Sequence, residues 1–346
     1  MTSTESTLSG PFTVGLDNGG TSNNVTLLDA TGLFAIEGLL ESPSLVTRGP
    51  EIAVEALAQS VDAALERTGV ARPSVTNVGL ASPGPASPTG VISARGSTNF
   101  QERGWRSFDY RAALERRLGI PVTYINDGNA AALYAHARLF GPNDDRHSSI
   151  SAIVGTGLGG GVVEAGRVVK GATGMAGELG HARLQLDGIL APGQPVPQCN
   201  CGVSGDVESI ASLTAIEVNL LPYWLTQYPN HPLGQEPLSV AAKRVRSLGE
   251  DGDEMAMRIF EQQATAIGRL FSLAATFLDP DAYFVGGGIV ETRDDFKDWF
   301  LDRVAHHTEL REEQQAAARF VVVPDGDMAG ARGAALAASR PIYSSA

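Results

Sequence analysis

The stretch Tyr124-Ile125-Asn126-Asp127-Gly128-Asn129-Ala130-Ala131-Ala132 decides how the rest of the chain is read. An apolar strand ends in an amide and a carboxylate, and an alanine-rich helix begins at once. On open α/β sheets, reactive groups gather at the carboxyl ends of strands, where the next helix starts. Asp127 is therefore expected at such an end, near a helix N-terminus that favours negative charge. Two readings compete there. A carboxylate so placed can accept a hydroxyl proton, with Asn126 beside it holding a polyol. Alternatively, Asp127 only caps a helix, because Asp is a preferred N-cap.

On both sides of this stretch the chain follows one plan. Residues 13–17 read as a buried strand, Asn18-Gly19-Gly20-Thr21 as a turn and 25–28 as a second strand. Pro50 opens an amphipathic helix that Gly69 closes. Residues 75–80 and 121–126 read as strands, with a helix between them capped by Ser107. The second half begins the same way: strand 149–154, the turn Gly155 to Gly161, strand 162–164. Strand, glycine turn, strand thus opens both halves, a repeat of pattern rather than identity. Later come a helix over 253–278 with Phe277 in its apolar period, a strand 282–285 running into Gly286-Gly287-Gly288, and a last helix rich in small residues. Residues 185–198 and 226–238 read as loops.

Composition excludes several classes. The 346 residues predict two domains, and 43% hydrophobic content suffices for their cores. A net charge of -13 repels phosphate backbones, so no nucleic-acid partner is expected. It leaves room for a small anion, because backbone amides bind phosphate without Lys or Arg. The first ten residues lack a signal peptide's basic and apolar regions, and no stretch reaches the length of a membrane span. The two cysteines, Cys199 and Cys201, fit a reducing compartment or a metal. The expected location is the cytoplasm, with no membrane partner.

Three glycine turns carry the case for a nucleotide. Glycine lets backbone N–H groups face a phosphate closely. The first offers Asp17, Gly19, Gly20 and Thr21; the second Gly155, Thr156, Gly157 and Gly159; the third Gly286, Gly287 and Gly288. Asp17 is suited to hold Mg2+ directly or through water. Each turn singly also fits a tight hairpin. Two at matching places in two half-chains favour a nucleotide bound between domains. Gly155, Gly157 and Gly160 match G-x-G-x-x-G, but a helix must follow that pattern, and a hairpin strand follows here. No Walker A sequence occurs.

A second constellation begins at Gly177-Glu178-Leu179-Gly180-His181, where one helical turn would present Glu178 and His181 together. Cys199-Asn200-Cys201 suits a zinc knuckle, with His181 as third ligand and Asp206 as fourth. Glu208 emerges beside this cluster. Asn99 is either a reader of polyol hydroxyls or an ordinary turn residue. His136 and the pair His306-His307 are expected to be solvated. Tyr223, Trp224 and Tyr228 read as core or lid packing, or as a face for a sugar.

With these residues in view the chain resembles the ROK family, bacterial sugar kinases and sugar-responsive repressors on the actin-like ATPase fold. Asp17 to Thr21 is similar to its first phosphate motif and Gly155 to Gly160 to its second. Asn126-Asp127-Gly128-Asn129 looks like its catalytic signature, and Glu178 to His181 with Cys199-Asn200-Cys201-Gly202 and Glu208 like its sugar and zinc signature. The resemblance implies a two-domain α/β actin-like (ribonuclease H-like) ATPase fold with an interdomain cleft. Residues 1–126 would form a small N-terminal domain and 127–328 a large C-terminal one, with a helix over about 329–346 packing back on the first. It implies transfer of the γ-phosphoryl group of MgATP to the 6-hydroxyl of a hexose, glucose by family frequency, in a homodimer. Asp127 would be the base. Asn99, Asn126, Glu178, His181 and Glu208 would hold sugar hydroxyls. His181 would also ligate Zn2+ through its other ring nitrogen, and residues 285–289 would lie near the adenosine. Three features depart from the pattern: Asp206 stands where a third zinc cysteine is usual, the stretch between His181 and Cys199 is longer than usual, and Ser22 stands where Lys often follows the first turn.

Other classes remain open. Another sugar (mannose, allose, fructose, an N-acetylhexosamine) or polyphosphate as donor is the near alternative. A ROK repressor would need an N-terminal helix-turn-helix, for which the strand at residue 13 leaves no room. Intact Asp127 argues against a silent sugar-binding protein.

Overall fold

Apolar residues alternating about a glycine turn produce the first hairpin of this computed structural model, which describes residues 8–94 and 100–340. Strand β1 (Phe12–Asn18) runs antiparallel to β2 (Ser22–Leu28), and β2 to β3 (Glu41–Pro43). Helix α1 (Pro50–Thr68) starts on its proline, ends at left-handed Gly69 and buries Ala53, Leu57, Val61 and Ala64. It leads to β4 (Val75–Ser82), parallel to β1. Helix α2 (Tyr110–Leu118) then leads to β5 (Val122–Asn126), parallel to β4. Helix α3 (Asp127–Phe140) follows β5 with no intervening loop. The sheet order is β3-β2-β1-β4-β5.

The second half rebuilds that sheet. Strand β6 (Ser148–Val154) pairs antiparallel with β7 (Leu158–Glu164), and β7 with β8 (Arg167–Val168). Next come α4 (Leu213–Ala215), a π-helical turn over Ile216–Leu220, α5 (Leu221–Gln227), α6 (Leu238–Glu250) and the long α7 (Glu254–Leu278). Strand β9 (Ala282–Gly286) is parallel to β6. Helices α8 (Asp294–His306) and α9 (Glu312–Ala317) precede β10 (Arg319–Val322), parallel to β9. The order β10-β9-β6-β7-β8 is that of the first sheet with each strand in its corresponding place. The pattern repeat in the sequence is therefore a repeat of topology.

Each sheet has its own buried core. By its contacts the chain divides into unit 1, up to Arg138 with Lys170–Ala176 and the chain from Asp325, and unit 2, Leu139–Val169 with Gly177–Pro324. The last helix, α10 (Gly326–Ser339), belongs to unit 1 and packs on β1 and β4. It reaches α3 so closely that a Cβ on Gly333 would overlap the Ala130 carbonyl. That packing is why the division falls after Arg138 rather than after residue 126: the first turns of α3 are held by α10. Residues 341–346 of the expected terminal helix lie outside the described residues.

Several local expectations need correcting. Asp109, not Ser107, caps α2, its Oδ1 accepting from Ala112 N at 2.9 Å. His136 is fully buried, because α3 is covered on more than one side. His307 is half-buried and pairs with Glu261 at 2.7 Å, whereas His306 is exposed. Phe277 is 81% exposed despite fitting the apolar period of α7, which by then has passed the core. Residues 226–238 are only partly loop, since α5 runs to Gln227 and α6 starts at Leu238.

Candidate active site and metal centre

In unit 1 the reactive groups collect at the carboxyl ends of β1 and β5. The helix cap is the neighbour of Asp127. Asn126 caps α3: its Oδ1 accepts from Asn129 N at 3.1 Å. Asp127 is the first helical residue, and its Oδ1 accepts from Gly128 N at 2.7 Å. Burial raises the Asp127 carboxyl above its ordinary value, opposed by hydrogen bonds from the Gly128 backbone and the Asn126 amide. Asn126 therefore supports Asp127 while capping the helix. Its NH2 group has a second hydrogen available for another acceptor.

Asp17 stands one residue before the end of β1, beside Asn18, which is buried and fastened on both sides. Asn18 Nδ2 donates to Asn23 Oδ1 at 2.6 Å, and Tyr110 donates its hydroxyl to Asn18 Oδ1 at 3.0 Å. Asp17 packs against Gly330 of α10, where any Cβ would collide with the carboxylate. This burial pushes Asp17 up to about 7, and the nearby charge of Asp127 adds to the shift. Two carboxylates with raised proton affinity thus share one end of the sheet. The turn after Asp17 is closed by Gly19 N on Ser22 O at 2.8 Å, and Thr21 is exposed. Asn24, opposite Asp17 on β2, donates to Asp327 O at 3.2 Å. Asn99 lies outside the described residues.

Unit 2 carries the second glycine turn and the thiol cluster. The turn's carbonyls face inward: Gly155 O accepts from Leu213 N (3.0 Å) and Thr156 O from Thr214 N (3.1 Å). Gly159 lies in β7 opposite Ile153. Glu208 braces the turn, its Oε2 accepting from Leu158 N at 2.8 Å, and a Cβ on Gly157 would overlap that carboxylate. The expected helical turn at Glu178 is a short 3-10 helix, Leu179–His181, with Glu178 as N-cap. Gly180 O accepts from Glu208 N at 2.8 Å, so the Glu178–His181 segment and Glu208 are bound to each other. After β9, Gly287 adopts φ +83 and Gly288 O accepts from Arg246 Nη1 at 2.6 Å.

The four metal-ligand candidates converge. Donor atoms of His181, Cys199, Cys201 and Asp206 all lie within 4.8 Å of one another. His181 Nδ1 is 3.2 Å from Asp206 Oδ2 and 3.9 Å from Cys199 Sγ. Cys201 Sγ is 3.5 Å from the same Asp206 oxygen. Metal–ligand bonds of roughly 2.0–2.3 Å in a tetrahedron give edges of about 3.4 Å between N and O and about 3.6 Å between S and either. The separations fit such a shell. The donor set is thus suited to a tetrahedral divalent ion, with the carboxylate standing in for a thiolate. Asp206 is pre-oriented: its Oδ1 accepts from Ser209 N at 2.9 Å, and its side chain is fully buried. The His181–Asp206 hydrogen bond raises the imidazole to about 9, and burial pushes the Cys199 thiol up.

Sequence reading missed the residues that hold this cluster. Asn219 accepts from Gln198 N (3.1 Å) and donates to Gln198 O (3.0 Å) and Ser209 O (2.9 Å), clamping both arms of the knuckle. Gln262 ties down the long 185–198 loop by donating to Ile189 O at 2.9 Å and Gln194 Oε1 at 2.6 Å, while its own Oε1 accepts from Trp224 Nε1 at 2.8 Å. Trp224 is thus tied to α7 through its ring nitrogen. Both amides sit inside helices with no local motif, so only their long-range partners reveal them.

The ROK family model matches residues 13–340. The chain belongs to the ROK family. A glucokinase of Halalkalibacterium halodurans is 29% identical, the match covering 86% of this chain and 89% of that one. The ROK hexokinase of Thermus thermophilus has the same two-domain actin-like fold, with a TM-score of 0.72 at 30% identity over 94% of this chain and 97% of that one. A ROK glucokinase from Streptomyces griseus in complex with glucose and AMPPNP gives a TM-score of 0.70 at 27% identity, over 94% and 99%. The matched residues 13–340 include both glycine turns and the Asn126-Asp127 pair.

Proposed function

We propose that this ROK protein is an ATP-dependent hexose kinase that transfers the γ-phosphoryl group of MgATP to the 6-hydroxyl of a hexose, with glucose as the first candidate. One observation carries the reading: Asn126 takes over helix capping, and this frees Asp127, whose proton affinity burial has raised. An ordinary aspartate is a weak base for an alcohol. Raised affinity improves the match between base and substrate. Phosphoryl transfer proceeds through a loose transition state, so positioning and charge stabilisation supply most of the catalysis. Asp127 then receives the hydroxyl proton late, as the bond to the donor phosphate breaks.

The remaining assignments follow from chemistry. The N–H groups of Gly20, Thr21, Thr156 and Gly157 have no partner among the described residues, which suits the phosphates of ATP. Gly19, Gly155 and Gly159 shape those turns, and Gly286, Gly287 and Gly288 are assigned to the nucleotide's other end. Asp17 is assigned to Mg2+, whose charge would turn a costly buried carboxylate into a favourable one. Asn99, Asn126, Glu178, His181 and Glu208 are assigned to sugar hydroxyls. His181, Cys199, Cys201 and Asp206 are assigned to a structural Zn2+; with Nδ1 toward the cluster, Nε2 remains for the sugar. Likeness to sugar kinases supports ATP and sugar as partners. A homodimer in the cytoplasm completes the proposal, consistent with two free thiols and with no helix among the described residues long and apolar enough to cross a membrane.

The test is ADP release across glucose, mannose, allose, fructose and N-acetylated hexosamines, with and without chelator, with polyphosphate replacing ATP in one arm. Asp127→Ala should lose on the order of 10²–10⁴ in kcat while glucose still binds by calorimetry. A variant keeping more than a few per cent of native turnover would remove Asp127 from the role of base.

A further inference from the structure

Between β8 and Glu178 the chain makes a detour. Lys170–Ala176 belongs by its contacts to unit 1, although the residues on either side of it, Val169 and Gly177, belong to unit 2. Three contacts define the detour as a strap. Its neck is closed by Ala176 N donating to Lys170 O at 3.2 Å. Its tip is Gly174, at φ +85, so close to the segment after β4 that a Cβ would stand 2.9 Å from Ala86 O and 3.0 Å from Pro88 N. Its base is Lys170, whose Nζ donates to the Tyr124 carbonyl at 3.3 Å.

That carbonyl lies on β5, the edge strand of its sheet, two residues before Asn126 and three before Asp127. Burial pulls the Lys170 ammonium below the usual lysine value, so its place there costs desolvation, and the Tyr124 carbonyl is the one hydrogen-bond partner assigned to it among the described residues. Because the neck is closed, fixing Lys170 also fixes Ala176. Glu178 follows two residues later, and two residues of chain span at most about 7 Å.

We propose that Lys170 is a positioning residue for sugar binding: its ammonium, held on the Tyr124 carbonyl, fastens the Lys170–Ala176 strap and so sets where Glu178 meets the sugar. The inference rests on the sugar-kinase reading of Glu178. The part of Lys170 is positioning rather than catalysis, through the Tyr124 carbonyl. A lysine that only covered the edge of β5 would affect stability and both substrates alike, whereas a strap anchor affects the sugar alone.

Steady-state kinetics with glucose as the probe and ATP as donor separate these roles. Lys170→Met keeps the length of the side chain and removes the donor. It should raise the glucose KM at least about tenfold, the loss expected for a charge-assisted hydrogen bond, with the ATP KM within about twofold of native. Lys170→Arg should restore most of the loss. Gly174→Ala, which strains the strap at its other end, should reproduce it. A glucose KM within twofold of native in Lys170→Met, or an equal rise in both KM values, overturns the inference. If the native protein phosphorylates no sugar, the kinase reading fails by itself. Hydrogen exchange across residues 171–177 then decides the anchor: faster exchange in Lys170→Met keeps it, and unchanged exchange overturns it.

Discussion

Asp17→Asn should make the protein more stable and inactive at the same time. The Asp17 carboxyl is pushed up to about 7 from an ordinary 3.8, first by burial and then by Asp127. Below pH 4 the group is protonated both folded and unfolded, and the substitution changes little. As pH rises past 4 the unfolded chain ionises while the folded one does not, so folding loses stability until the folded group also ionises near pH 7. About 1.4 kcal/mol per pKa unit over this shift sets a ceiling of about 4 kcal/mol. Asparagine has the same shape, fits against Gly330 and has no charge to bury. At pH 8 the variant should therefore melt higher, by up to about 8–16 °C if the full ceiling is realised and by a few degrees if water relaxes around the carboxylate. At pH 4 the gain should vanish. Differential scanning calorimetry of both proteins at the two pH values reads this directly, and MgATP should raise the native Tm at pH 8 far more than the variant's. A variant less stable than native at pH 8, or a gain that does not shrink on acidification, would refute the burial account of Asp17.

Gly333→Ala sets helix propensity against packing: propensity alone favours Ala by about 1 kcal/mol, but the new Cβ would overlap the Ala130 carbonyl. Overpacking should win, with a net loss of about 1–3 kcal/mol by urea denaturation, and a stabilised variant would mean that α10 and α3 lie farther apart. On the proposed zinc assignment, Asp206→Ala should lower metal content read by mass spectrometry, and chelator should then produce no further fall in Tm; metal retained at native stoichiometry would exclude Asp206 as a ligand.

Local pattern carried the reading of this protein wherever cause and effect lie close in the chain. Short apolar runs about Gly19-Gly20 and Gly155-Thr156-Gly157 give hairpins because a glycine turn and the strands beside it act over a few residues. The Cys199, Cys201 and Asp206 spacing keeps three donors within one loop, and only His181 had to be brought in from outside it. Reading failed where a distant element decides the outcome. His136 looks solvated in its own helix, yet other elements bury it. Phe277 keeps the apolar period after α7 has left the core. Tyr134 donates to Asp325 Oδ2 at 2.5 Å, and Arg332 donates to Tyr134 at 2.7 Å, across 191 and 198 residues of sequence. No periodicity reports such partners. Lys170 gave no signal either, since one lysine after a short strand has no pattern to break.

The small-residue character of α10 connects packing to chemistry. Helices faced with large side chains normally stand 8–10 Å from their neighbours. With glycine and alanine on its inner face, α10 comes close enough that Cβ atoms on Gly330 and Gly333 would strike Asp17 and the Ala130 carbonyl. Gly330 thus closes one side of the Asp17 carboxylate against water, and burial is the first cause of that group's raised proton affinity. A larger residue at 330 would push the helix away and admit solvent, returning Asp17 toward its ordinary value. The same contact leaves the carboxylate short of a counter-charge, the deficit behind its raised proton affinity and behind its proposed role as a Mg2+ ligand. A helix that reads in sequence as mere filler therefore sets the electrostatics of the end of β1, and the Asp17 carboxylate depends on a small residue more than 300 positions away.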